Sequence, residues 1–124
     1  MDKKNNEYRD NSLLNGFNDQ KLISPSFSEF PQFEPKIKIG ILASGNGSNF
    51  EYIIRAIKEK KLNAEISLLI VNNPNCFAIK RALKNDIPFE LINHNECKSR
   101  SEHDNLVINK LEQYSVEMVV MAGW

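Results

Sequence analysis

From residue 36 onward the sequence predicts an α/β fold, an open parallel sheet of four strands with three crossover helices. Three observations predict it. Short runs rich in Ile, Leu and Val alternate with stretches of helical period, in the order β-α-β-α-β-α-β. Single helices between strands give right-handed crossovers and hence parallel strands. The second and fourth runs are near-continuously apolar, as expected of strands covered by helices on both faces. Together these describe a Rossmann-like sheet.

Each element has its own warrant. "IKIGILA" (37–43) is apolar and too short for a helix, so it is a strand. "SNFEYIIRAIKEKK" (48–61) places Phe50, Ile53, Ile54 and Ile57 on one helical face. "AEISLLIVNN" (64–73) is a second strand, closed by Asn72, Asn73 and Pro74. "CFAIKRALKN" (76–85) puts Cys76, Ile79 and Leu83 on one face of a second helix. "IPFELI" (87–92) is a short third strand. "SEHDNLVINKLEQY" (101–114) carries Val107, Leu111 and Tyr114 on one face of a third helix, and "VEMVVMAG" (116–123) is the fourth strand. Two domain-level pieces follow: an N-terminal arm over 1–35 and an α/β body over 36–124.

The arm differs in composition. Residues 1–21 are rich in Asn, Asp and Lys without a sustained apolar period, and prolines at 25, 31 and 35 break any helix after them. Such a segment is expected to be disordered, or loosely docked through Phe27, Phe30 and Phe33. Asp2, Glu7, Asp10, Asp19, Glu29 and Glu34 argue against a transit peptide, which is poor in acidic residues.

Charge and cysteine content narrow the function classes. The 124 residues hold 16 basic and 16 acidic side chains, a formal net charge of zero. Nothing in that balance draws nucleic acid or an anionic membrane. No apolar run approaches the roughly 20 residues of a membrane-spanning helix. Cys76 and Cys97, in a chain without a secretory signal, are expected as reduced thiols in the cytoplasm.

The chemistry concentrates in "ASGNGSN" (43–49), between the first strand and the first helix. Ligands of open parallel sheets bind outside the carboxyl ends of the strands. Gly45 and Gly47 let an anion approach the main chain, and a side chain at Gly47 is expected to enter the anion's space. The first amides of the following helix lack internal partners and carry partial positive charge. Ser48 is placed as helix cap or phosphate ligand. Spacing alone leaves two readings open: a capped strand-to-helix turn, or a phosphate site. It is neither the dinucleotide fingerprint, because Phe50 stands where a third glycine is needed, nor a P-loop, because no Gly-Lys-Ser/Thr follows.

"IGILASGNGSNFEYIIRAI" resembles the amino-terminal end of the phosphoribosylglycinamide formyltransferase family, folate-dependent enzymes of purine synthesis. The similarity continues in register through "VNNPNCFAIKRA", "SRSEHDNLV" and "VVMAGW". The resemblance implies transfer of a formyl group from 10-formyltetrahydrofolate to the amine of glycinamide ribonucleotide, with no metal. It assigns the ribonucleotide phosphate to Gly47, Ser48 and Asn49, with Asn46 adjacent. It assigns Arg100, in "KSRSE", to the folate side. The family's catalytic Asn, His-Pro and Asp follow the equivalent of "AGW", so no catalytic residue is expected within these 124 residues. The chain is expected to be a truncated copy, inactive alone, with strand four as an open apolar edge.

His94 and His103 do not match the family's catalytic motif and are expected in surface or capping roles. Cys76 is expected in helix core and Cys97 in a loop; His94, three residues before Cys97, makes a metal site conceivable, though two ligands alone are weak evidence for one. A non-catalytic phosphosugar-binding half-domain is the alternative reading. A further alternative is a fragment of a related formyltransferase or formyltetrahydrofolate deformylase. The phosphate loop, which also motivates the half-domain reading, favours the glycinamide substrate over these formyl relatives.

Overall fold

The computed structural model describes residues 35–124, so the arm expected over 1–35 lies outside the described residues but for Pro35. The elements are β1 (Ile37–Ala43), α1 (Ser48–Lys58), β2 (Ala64–Val71), α2 (Ala78–Lys84), β3 (Phe89–Leu91), α3 (Arg100–Gln113) and β4 (Met118–Met121). A 3-10 turn at His94–Glu96 precedes α3. The expected alternation is present in the expected order. β3 is shorter than its apolar run because Pro88 has no amide to give the ladder.

The four strands form one parallel sheet in the order β3-β2-β1-β4. The chain steps outward from β1 to β2 to β3, then returns to the other side of β1 for β4. The switch in strand order therefore lies between β1 and β4, where a parallel sheet opens a crevice at its carboxyl edge.

Two apolar layers enclose the sheet. On one face α1 contributes Phe50 and Ile54, and α2 contributes Ala78 and Ala82, against Ile39, Ile41, Ala43, Leu69 and Val71. On the other, Val107 of α3 packs with Leu42, Leu68, Ile70 and Ile92. β2 serves both layers by its side-chain alternation and also carries a bulge: Ile39 pairs with Ile66 and Gly40 with Leu68, so Ser67 is skipped. That extra residue shifts the two-residue side-chain alternation. Ala64 and Ile66 before it and Leu69 and Val71 after it thus join one core. Gly40 makes room for α3, since a Cβ there would lie 2.8 Å from Leu111 Cδ2 and 3.1 Å from both methyls of Val116.

Two sequence expectations fail on burial. Of the face expected on α2, Cys76 is buried and Ile79 packs against the core, but Leu83 is 61% exposed, and Ala78 and Ala82 complete the inward face. The helix comes so close to the loop after β1 that only a methyl fits: the Ala78 amide donates to Gly45 O at 3.2 Å. His103, expected at the surface or as a cap, is 2% exposed. Its Nε2 donates to the Ile92 carbonyl at 2.9 Å, which satisfies a buried polar atom at the end of the β3 segment.

Candidate functional site

β1 delivers the chain to the carboxyl edge and the next residues are tied down at once. The Ser44 amide donates to Gly123 O and the Ala122 amide to Leu42 O, both at 2.8 Å. The loops after β1 and β4 are thereby joined at the switch in strand order. Gly47 then takes φ 81° and ψ 23°, a left-handed conformation, and its carbonyl accepts the first helical bond from the Glu51 amide at 2.9 Å.

Gly47, not Ser48, is the N-cap, and no side chain caps α1. Ser48 is the first helical residue. The cap expected of Ser48 is absent because the left-handed glycine turns the chain into the helix one residue earlier. Ser48 and Asn49 are exposed, and their side chains make no hydrogen bond among the described residues. The amides of Ser48, Asn49 and Phe50 have no intrahelical acceptor. Exposed hydroxyl and amide side chains therefore flank a helix start with partial positive charge, an arrangement suited to an anion.

Asn46 points elsewhere. Its carbonyl accepts from Arg81 Nε at 2.9 Å and its Oδ1 accepts from Arg81 Nη2 at 2.5 Å. Arg81 Nη1 also meets Glu51 Oε1 at 3.3 Å, and the guanidinium carbon lies 4.8 Å from the Phe77 ring centroid. Arg81 was not singled out in the sequence because its contact with Asn46 spans 35 residues. The available signal was Phe77 and Arg81 on one turn-to-turn face of α2.

Arg100 opens α3 on the opposite face of the sheet and is exposed. The helix behind it is well started: Ser99 Oγ accepts from the Glu102 amide at 3.1 Å, and Glu102 Oε1 accepts from the Lys98 amide. No hydrogen bond or ion pair links Arg100 to residues 46–49 among the described residues. Both groups nonetheless start helices that follow strands of one parallel sheet, which sets them along its carboxyl edge.

An aromatic stack that the sequence did not suggest occupies the same edge. The His94 and His103 rings are parallel with centroids 4.1 Å apart, and Trp124 lies 6.0 Å from His103. His94 Nε2 accepts from Asn72 Nδ2 at 3.0 Å. Cys97 donates to Asn93 O, and desolvation, then the charges of Glu102 and Glu96, push its thiol up from the usual value. A raised thiol is a poor nucleophile at neutral pH. No group of three metal-ligating side chains occurs among the described residues, and no described helix is long and apolar enough to cross a membrane.

Residues 37–124 match the formyl transferase family. The chain is 36% identical over 89 residues to the trifunctional purine biosynthetic protein adenosine-3 of Gallus gallus, covering 72% of this chain and 9% of that protein. It is 32% identical over 87 residues to phosphoribosylglycinamide formyltransferase of Bacillus subtilis, covering 70% and 45% respectively. Among solved structures, phosphoribosylglycinamide formyltransferase of Coxiella burnetii superposes with a TM-score of 0.69 at 36% identity, over 72% of this chain and 42% of that one. Glycinamide ribonucleotide transformylase 1 of Geobacillus kaustophilus gives a TM-score of 0.70 at 25% identity, over 72% and 47%. The chain thus spans less than half the length of each of these relatives.

Proposed function

The chain belongs to the formyl transferase family, and from that premise we propose that residues 36–124 act in formyl transfer from 10-formyltetrahydrofolate to glycinamide ribonucleotide. In that reaction the glycinamide amine bonds to the formyl carbon, the bond from that carbon to the folate nitrogen breaks, and a proton passes from amine to folate. The body would serve it as one α/β unit in the cytoplasm, with no nucleic acid or membrane partner.

The observation that carries the proposal is the start of α1. Gly47 enters the helix without a side-chain cap, leaving amide donors and the Ser48 and Asn49 side chains uncommitted. We assign the ribonucleotide phosphate to Gly47, Ser48 and Asn49. Asn46 holds the loop from beneath rather than presenting its side chain to the anion. Anchoring the phosphate removes translational and rotational freedom from the amine at the far end of the substrate. Arg100 is assigned to the folate side, where an exposed guanidinium without a carboxylate partner among the described residues suits an anionic tail.

The described histidines fit supporting roles. His103 is buried with Nε2 committed to a carbonyl, and His94 Nε2 is engaged by Asn72. General acid-base work requires a group that can reach the reacting amine.

Ser48→Glu tests the phosphate assignment. A carboxylate in the first turn of α1 competes with the phosphate but favours the helix by about 0.3–1 kcal/mol. Glycinamide ribonucleotide binding, followed by calorimetry, is expected to be lost while the unfolding midpoint holds or rises. Undiminished binding in this variant would remove the assignment.

A further inference from the structure

We propose that Arg81 is a positioning residue of the phosphate loop, holding the Asn46 oxygens away from the anion so that only donors face it. The functional half of this inference rests on the phosphate reading given above. The geometric half stands on the loop itself.

Three bonds define the latch. Nε and Nη2 of Arg81 engage the carbonyl and side-chain oxygens of Asn46, and Nη1 engages Glu51 in the first turn of α1. One planar guanidinium thus spans the residue before the cap and the residue four beyond it. A compact ammonium cannot reproduce that fork. Phe77 supports the group from the side, and Arg81 Cδ closes against the position a Gly47 side chain would take, at 3.3 Å.

The choice of partner shows that geometry, not charge alone, selects Arg81. Glu51 stands four residues ahead of Arg55 on α1, the favoured spacing for a helical ion pair. Its carboxylate nonetheless goes to Arg81, and Arg55 lies over the Tyr52 ring at 5.3 Å. Arg55, Lys80 and Lys84 line the same cleft, of about 360 Å³, without a carboxylate partner among the described residues. Arg81 is the cation there with its side chain mostly covered, 21% exposed.

The consequence concerns polarity. A carbonyl directed at a phosphate repels it, and the loop just ahead of Gly47 has two oxygens that could turn inward. Arg81 binds both. Its guanidinium acts on the loop through Asn46.

Arg81→Lys tests this, read by amide hydrogen exchange at Glu51 and Ala78, which donate to the loop carbonyls of Gly47 and Gly45, and by glycinamide ribonucleotide titration. We expect exchange at these amides to quicken and affinity to fall about tenfold, the scale of a lost charge-assisted hydrogen bond. Glu51→Gln, which leaves the Asn46 bonds intact, is expected to move affinity less than about twofold. Unchanged exchange in Arg81→Lys overturns the latch, whatever the ligand does. If the unaltered chain binds no ribonucleotide but exchange quickens in the variant, the phosphate reading fails and the latch stands. Should Arg81→Lys not fold, Asn46→Ala removes the side-chain contact from the other side and carries the same expectation for exchange.

Discussion

Gly47 carries two constraints at once. Its φ of 81° is a conformation that side chains with a Cβ adopt at a cost, and a Cβ there would lie 2.9 Å from that of Ala78. Gly47→Ala is therefore expected to cost about 1–3 kcal/mol, read as a lower urea midpoint. A Gly47 variant therefore reports on the packing of α2 as well as on the anion that the sequence reading places at this residue. Tyr114 offers a second residue-level test. Its hydroxyl donates to Glu90 Oε2 at 2.9 Å, and this bond, then desolvation and the Glu90 charge, raise the phenol above its ordinary value. A raised folded value means the folded chain holds the proton more tightly than the unfolded one. The stabilisation is thus complete below about pH 10 and disappears as pH rises through the raised value. Tyr114→Phe is expected to lower stability at neutral pH and to flatten the alkaline loss, measured as urea midpoints across that range.

At the scale of elements, what was legible was apolar periodicity. β1 is found at 37–43 and α1 begins at Ser48, because buried faces of Ile and Phe write their spacing directly into the sequence. α2 was legible as a helix, and Cys76 and Ile79 of its expected face meet the core, but Leu83 does not. The buried residues of the helix are alanines, so volume at the contact rather than hydropathy decides which positions face inward. His103 was misplaced for a related reason: a polar ring becomes a core residue when one buried carbonyl is waiting for it. Replacing it by Leu leaves the Ile92 carbonyl without that donor, an expected loss of about 1–3 kcal/mol in chemical unfolding. Of the site, the glycine-serine loop was legible from its small residues at a strand end. The Arg81 latch was not, because its partners meet only after β2 and α2 have folded back.

For the whole molecule, the sheet order places the loop after β1 beside the residues that follow β4, joined by the Ser44–Gly123 bond. β4 pairs with β1 on one side and has no second strand among the described residues, and Met121 is 70% exposed. An apolar strand edge of this kind invites association. Met121→Lys is expected to reduce concentration-dependent association in light scattering without lowering the thermal midpoint. The proposed function stands or falls on whether the amides at the start of α1 hold the ribonucleotide phosphate. Amide chemical shifts during titration with glycinamide ribonucleotide test it most directly. Saturable shifts centred on Gly47, Ser48 and Asn49, and lost in Ser48→Glu, are predicted. Amides that stay unmoved there at millimolar ligand would contradict the proposal.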